Sequence, residues 1–207
     1  MSEVRRLRPL LTATHRYDKS ISTWKRGEGV LIDAPILAYL IETRNGRILY
    51  DVGCDYSKIR LEDLRERYYD PAVNHFGAPR MTEEQRIPYH LKRLGLSPRD
   101  VDLIVIGHLH FDHAGGLKEL RQEGCAAEIH VHRDEVAAAR TGADTSVFQD
   151  DLVDEASGSP NEIVTVSIGI AALDPGAVAG ADTLVGRADR ALYRAKQAGR
   201  NRVIAEG

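Results

Sequence analysis

The chain has 207 residues, of which 43% are hydrophobic and 29% charged, and this balance is typical of a globular domain. A formal net charge of −3 provides no basic surface for nucleic acid or anionic membrane, and no apolar run approaches the ~20 residues of a membrane span. The two cysteines, Cys54 and Cys125, cannot form a disulfide framework, and the N-terminus lacks the apolar segment of a signal peptide. We therefore expect a cytoplasmic protein with no nucleic-acid or membrane partner.

The first clear element is a β-hairpin. Asn45 and Gly46 separate two strand-like runs, residues 36–43 and 47–52, and both turn residues accept a positive φ. Asp51 ends the second run. From the residues alone, this aspartate either caps the following turn or takes part in a site at the end of the strand.

Two helical stretches follow the hairpin. Residues 56–70 form an amphipathic pattern that predicts one helix, whose expected buried side consists of Ile59, Leu61, Leu64 and Tyr68. Residues 82–85 have the form of a capping box, but Pro88 contradicts a straight helix through this region. Either the helix kinks at this proline or it begins near it.

The strongest chemical signal comes next, where the apolar run 101–106 predicts a buried strand. His108, His110, Asp112 and His113 follow it within six positions, before Gly115, Gly116 and a helix over 117–123. Imidazole nitrogens and carboxylate oxygens are ligands for Zn²⁺, and the loop between strand and helix can hold them rigidly. The alternative, a histidine-rich loop without metal, explains this density of ligands less well.

A second pair of histidines, His130 and His132, lies on the predicted strand 126–132. No further ligand follows at a suitable spacing, so we predict that this pair does not bind metal. Residues 133–140 form a short predicted helix.

The composition changes after residue 141. Acidic and small residues predict a linker over 151–161, which separates a first domain, residues 1–150, from a tail, residues 162–207. The tail is predicted to form a strand over 163–171, a helix over 181–198 and a terminal strand over 202–205. The expected fold class is therefore α/β, with a small strand–helix–strand unit at the end.

The first 150 residues resemble the metallo-β-lactamase superfamily, and within it the N-acyl-homoserine lactonases. The segments that carry the resemblance are residues 5–10, 35–43, 48–53 and 108–116. It implies an αββα sandwich and two zinc ions, the first held by His108 and His110 and the second by Asp112 and His113. It also implies that Asp51 supports the metal site from behind the ligands. The implied reaction is attack of metal-activated water on a small-molecule lactone, with Asp112 protonating the leaving alkoxide.

The same resemblance makes this chain incomplete. The lactonases supply a third histidine, a bridging aspartate and a last histidine from their downstream half, whereas no histidine here follows His132. We therefore expect an incomplete sandwich, partial zinc occupancy and impaired activity. A homodimer could pool two histidines from each copy in one shared site.

The tail resembles the C-terminal end of a GGDEF (diguanylate cyclase) domain through residues 165–171 and 188–202. In that family the lysine and arginine matching Lys196 and Arg200 contact nucleotide phosphates. The GGDEF loop and its metal-binding aspartates are not present in this sequence, so cyclase activity is not expected. We favour the simpler interpretation that both residues are cations at a helix C-terminus.

Three functional hypotheses follow. The first is a zinc-dependent lactone hydrolase, and the second is a non-catalytic fusion of two truncated domains. The third, which has the least support, is a nucleotide-binding remnant of a cyclase.

Overall fold

The computed structural model describes residues 4–70, 72, 74, 77–141, 168–171, 181–199 and 203–206. Its strands are β1 (Val4–Asp18), β2 (Leu31–Thr43), β3 (Arg47–Tyr50), β4 (Leu103–Ile106), β5 (Glu128–Val131), β6 (Ile168–Ala171) and β7 (Val203–Glu206). Its helices are α1 (Lys19–Ser22), α2 (Tyr56–Arg60), α3 (Glu62–Tyr69), α4 (Ile87–Arg93), α5 (Phe111–Ala114), α6 (Leu117–Gln122), α7 (Arg133–Arg140) and α8 (Ala181–Gln197). The chain divides into two compact units, Met1–Ile163 and Val164–Gly207.

The first unit is built on a five-stranded mixed sheet with the order β1-β2-β3-β4-β5. β2 and β3 form the predicted antiparallel hairpin, whose turn is closed by a 2.9 Å hydrogen bond from Thr43 N to Gly46 O. β3, β4 and β5 are parallel neighbours, so their carboxyl ends lie along the same edge of the sheet. The α/β fold class is confirmed.

The sequence analysis did not predict β1, although it is one of the longest strands. It pairs with β2 along almost its whole length, with register shifts between Val4 and Arg6 and between Leu11 and Ala13. It lies at the edge of the sheet, where Pro9 and the charged residues Arg5 and Arg6 can be accommodated. These residues interrupt the regular alternation by which a strand is recognised in a sequence.

Residues 56–69 form two helices rather than the single predicted helix. Leu61 lies between α2 and α3 in an extended conformation, and its side chain is 44% exposed. Asp55 caps α2 by accepting hydrogen bonds from the backbone of Ser57 and Lys58. The predicted buried side is therefore wrong at Leu61, while Ile59 and Tyr69 reach the core and Tyr68 packs against it.

The region around Pro88 resolves the two alternatives left open by the sequence. The capping box at Thr82 and Gln85 begins a 3₁₀ turn over Glu83–Gln85, and a separate helix, α4, follows. Pro88 lies in the first turn of α4, where the absence of its N–H costs no hydrogen bond.

One continuous core covers the sheet of the first unit. Its fully buried side chains come from the central strands, the helix α4 and the segment that follows β4: Leu40, Leu49, Leu91, Ile104, Leu109, Leu117, Leu120 and Ile129. Leu109 has no exposed surface, although it lies between the predicted ligands His108 and His110. The apolar core therefore anchors the chemically interesting segment directly.

In the second unit, β6 and β7 pair in parallel, and α8 connects them in the sequence. Ala191 and Ala195 are buried residues of α8. The predicted linker, 151–161, lies outside the described residues. Among the described helices, none has the length and apolar character needed to cross a bilayer.

Candidate metal centre

The candidate site lies at the carboxyl ends of three parallel strands. Asp51 follows β3, the segment beginning at Gly107 follows β4, and α7 follows β5 after a single residue. Side chains from these connections can meet because the strands are hydrogen-bonded neighbours. The carboxyl edge of parallel strands is where ligands bind in many α/β folds.

Asp112 and His113 lie on the short helix α5, where the sequence analysis expected a loop. Phe111 anchors this helix, because its buried ring packs edge-on against Tyr69 at 5.2 Å and against His15 at 6.1 Å between ring centroids. The backbone is tied to the end of the hairpin by a 2.8 Å hydrogen bond from Val52 N to His113 O. The helix therefore has little freedom to turn away from the sheet edge.

His108, Asp112 and His113 form a cluster in which one ligand atom from each residue lies within 4.8 Å of the others. The rings of His108 and His113 are 3.9 Å apart, and Asp112 Oδ2 is 3.6 Å from His113 Nε2. The His110 ring lies edge-on to His108 at 4.3 Å. Among the described residues, the nitrogens of His110 are not part of this cluster. Three of the four predicted ligands therefore converge, and the fourth, His110, lies beside them.

Asp51 faces this cluster. One carboxylate oxygen accepts the Gly107 N–H at 2.8 Å, and the other lies 2.8 Å from His113 Nδ1. Its backbone adopts a left-handed conformation with φ of 58°, which aspartate tolerates better than most residues. Of the two roles left open by the sequence, this geometry matches participation in the site.

The two central histidines have opposite electrostatic environments. Burial lowers the pKa of His113, but the hydrogen bond that its ring donates to Asp51 and the nearby charges of Asp112 and Asp51 outweigh burial and leave the pKa raised. Burial lowers the pKa of His108, and the neighbouring imidazoles His113 and His110 lower it further. His108 is therefore held neutral, which is the form that binds a metal.

The donor set fits a divalent cation such as Zn²⁺. His113 donates its Nδ1 hydrogen to Asp51, which leaves Nε2 as the nitrogen free to bind an ion on the side of Asp112. His108 and Asp112 add a second nitrogen and an oxygen within the 4.8 Å cluster. Nitrogen and oxygen ligands in this combination are typical of zinc sites.

The sequence analysis missed Glu135, which lies in the first turn of α7. Its Oε2 accepts the backbone N–H of Leu109 at 3.1 Å, between the two histidines of the loop. The only available signal was its position four residues after a parallel strand.

A cavity of about 330 Å³ opens beside the cluster. The predicted ligands His110 and Asp112 contribute to its wall together with Phe111, and the rest comes from β1, α1 and β2. The lining includes the aromatic or apolar side chains Tyr17, Ile21, Ile36 and Phe111. The cavity is therefore largely apolar but has polar groups on the metal side.

Among the described residues, neither His130 nor His132 is a member of this cluster. His130 Nε2 is 2.9 Å from Glu128 Oε1, and the His132 side chain caps α7 by accepting the Asp134 N–H. Lys196 is exposed in the last turn of α8, whereas Arg200 lies outside the described residues.

Comparison with known proteins points in the same direction as the site. Residues 31–186 match the sequence model of the metallo-beta-lactamase superfamily. The N-acyl homoserine lactonase of a Bacillus species is 46% identical over 88 residues, which are 42% of this chain and 34% of the relative. The lactonase AiiB of Agrobacterium fabrum is 37% identical over 110 residues, which are 53% of this chain and 37% of the relative.

A solved N-acyl homoserine lactone hydrolase, with the product N-hexanoyl-L-homoserine bound at its catalytic metal center, superposes with a TM-score of 0.59 and 32% identity. The match covers 72% of this chain and 58% of that structure. The chain therefore spans about a third of the length of the curated relatives it matches and somewhat more than half of the solved structure. From its sequence match and its fold, the chain belongs to the metallo-beta-lactamase superfamily.

Proposed function

We propose that this chain is a metal-dependent hydrolase, or the metal-binding half of one, that opens the ring of N-acyl homoserine lactones. The observation that carries the proposal is the convergence of His108, Asp112 and His113 beside a largely apolar cavity. The residues that match the metallo-beta-lactamase superfamily model, 31–186, contain this cluster, and proteins named as N-acyl homoserine lactonases match 42% and 53% of the chain. Because the chain spans only part of each relative, the activity itself is a proposal.

In this proposal the ligands are His108 and His110 for one ion and Asp112 and His113 for the other. A bound divalent ion supplies the Lewis acidity that activates water and polarises the lactone carbonyl. His113 is oriented by Asp51, which holds its Nδ1 hydrogen. Asp112 lies on the cavity wall and is proposed to take a proton from the attacking water and to deliver it to the leaving alkoxide.

The cavity provides the proposed place for an acyl chain. Ile21, Ile36 and Phe111 contribute apolar surface, while His110 and Asp112 contribute polar groups on the metal side. An amphiphilic lactone can therefore place its ring near the cluster and its chain against the apolar wall.

The proposal also includes two predictions about zinc binding. No histidine follows His132 in this chain, so each ion has two side-chain ligands from the residues assigned above. We expect zinc to bind more weakly than at a site with a full set of ligands. A homodimer that shares the ion between copies would show zinc binding that weakens on dilution.

The second unit, Val164–Gly207, is proposed to be a fragment of a GGDEF domain joined to the hydrolase part. The parallel β6–β7 pair with α8 between its strands supports this proposal, whereas the family match, which extends to residue 186, includes the first GGDEF-like motif, 165–171, and leaves out only the second, 188–202. The buried free thiols of Cys54 and Cys125 support a reducing compartment such as the cytoplasm.

The proposal is tested by zinc content and lactone hydrolysis of the full chain, compared between the native protein and two variants. His108→Ala removes a ligand from the cluster, whereas His130→Ala removes a histidine that lies outside it. We expect His108→Ala to lose zinc and hydrolysis and His130→Ala to keep both. Equal hydrolysis in the native protein and His108→Ala would contradict the proposal and favour a non-catalytic fusion. GTP-induced shifts in the NMR signals of α8 would instead favour the nucleotide-binding hypothesis.

A further inference from the structure

We propose that Glu135 is a positioning residue that sets the direction of the His108 and His110 side chains through the backbone of Leu109. This role serves the proposed metal site and therefore rests on the proposed function. The contacts of Glu135 themselves do not depend on a bound ion. Nothing in the sequence pattern of the metal motif includes this glutamate, which lies 25 residues after His110 on a different helix.

The contact is specific. Glu135 Oε2 accepts the Leu109 N–H at 3.1 Å, and the Leu109 side chain on the same residue is completely buried. Leu109 is therefore held from two sides, with its side chain in the core and its amide hydrogen bonded to a carboxylate. The rings of the residues on either side, His108 and His110, lie 4.3 Å apart, and His110 forms part of the cavity wall.

Glu135 is the counterpart of Asp51. Asp51 accepts the Gly107 N–H at 2.8 Å, so two carboxylates hold alternate amides of the same four-residue segment. They come from connections on the two flanks of β4, one after β3 and one after β5. Asp51 also contacts His113 directly, whereas Glu135 acts on the other two histidines through the main chain.

A carboxylate suits this position because the segment has just left β4 and its amides no longer have a strand partner. A half-buried amide without an acceptor is costly, and a charged acceptor forms a stronger hydrogen bond than a neutral one. The alternative is that Glu135 serves only α7, as a negative residue in the first turn of a helix. Asp134 occupies the same first turn but points to solvent, with 81% of its side chain exposed, and therefore provides a matched control.

The experiment uses Glu135→Ala, Glu135→Gln and Asp134→Ala in the full chain. In metal-free protein, ¹H–¹⁵N NMR of the histidine rings reports ring environment without any need for activity. Glu135 also acts on His108 through its charge, which both Glu135→Ala and Glu135→Gln remove. Glu135→Gln keeps an oxygen acceptor for the Leu109 N–H, so we expect the His108 and His110 signals of Glu135→Ala to differ from those of Glu135→Gln.

Zinc affinity provides the second readout. By comparison with other residues that support metal ligands, Glu135→Ala should weaken zinc binding by about 10-fold or more, and Glu135→Gln by much less. Asp134→Ala should bind zinc as the native protein does. Native ring signals and native zinc affinity in Glu135→Ala would overturn the inference, as would an Asp134→Ala variant with the same loss.

Failure of the proposed function has a different signature. A native chain that binds no zinc would contradict the hydrolase proposal, while the metal-free ring signals would still test the positioning role. A native chain that binds zinc, together with an unchanged Glu135→Ala, would contradict only the positioning role.

Discussion

The carboxylate of Asp51 lies 2.8 Å from Nδ1 of His113 and joins the end of β3 to the helix that follows β4. Asp51 is buried and also accepts the Gly107 N–H, so a water molecule cannot easily take over its hydrogen bonds. The ring of His113 is therefore fixed with Nε2 toward Asp112. This relationship supports the first two predictions below.

Asp51→Asn should weaken zinc binding by about 10–100-fold, because the amide no longer stabilises the ring orientation of His113 through a charged hydrogen bond. Isothermal titration with zinc measures the effect. Asp33→Asn is the control, since Asp33 pairs with Arg80 at the surface and has no contact with the cluster among the described residues. Equal affinities in the two variants would show that the Asp51 contact does not serve the metal site.

The metal-free protein should show a higher pKa for His113 than for His108. The hydrogen bond to Asp51 and the nearby carboxylates raise the pKa of His113. Burial together with the neighbouring imidazoles lowers the pKa of His108. A histidine whose folded pKa is raised stabilises the protein below the unfolded value of about 6.5, and this contribution is lost as the pH rises through the folded pKa. Zinc needs the neutral ring, so zinc affinity should fall as the pH drops below the His113 pKa.

An NMR titration of the ring protons measures both values, and Asp51→Asn should lower that of His113. A His113 pKa at or below that of His108 would contradict the assignment of charges around the cluster.

Gly53→Ala should destabilise the first unit by roughly 2–5 kcal/mol, the sum of a left-handed backbone cost and an overpacked contact. Gly53 has φ of 70°, and an added Cβ would overlap the buried side chain of Thr12. Gly29→Ala is the matched control, because Gly29 has a similar φ of 80° but nothing within 4 Å of the added atom. Urea denaturation followed by circular dichroism should show the larger loss for Gly53→Ala. Equal losses of unfolding free energy in the two variants would show that the Thr12 side chain moves aside without destabilising the protein.

Arg86→Ala should cost about 1–3 kcal/mol. Arg86 contacts Glu119 of α6 and Glu123, which follows that helix, and both Arg86 and Glu119 have only 22% of their side chains exposed. Burial raises the pKa of Glu119 although Arg86 opposes the shift, so removing the cation leaves a poorly solvated carboxylate. Arg80→Ala breaks a more exposed pair with Asp33 and should cost less than about 1 kcal/mol. Urea denaturation followed by circular dichroism measures the free energy of unfolding of both variants. A larger loss for Arg80→Ala than for Arg86→Ala would contradict the prediction.

Local sequence patterns determined much of the architecture. Asn45 and Gly46 predicted the hairpin, Thr82 and Gln85 the capping box, and the apolar run before Gly107 the strand that delivers the histidines. These predictions succeeded because turn residues, caps and alternating burial act between residues a few positions apart. Even the concentration of ligand types after β4 could be read directly, since the ligands fall within six positions of one another.

Only the tertiary structure decided the contacts that cross from one strand connection to the next. No spacing rule links Asp51 to His113 or Glu135 to Leu109, because parallel pairing of β3, β4 and β5 brings these segments together from distant parts of the chain. Antiparallel pairing with β2 likewise makes a strand of β1, whose charged edge positions resemble a loop in the sequence. The sequence by itself determined which candidate ligands lie close together along the chain, and the parallel register of the strands determined which other segments meet them.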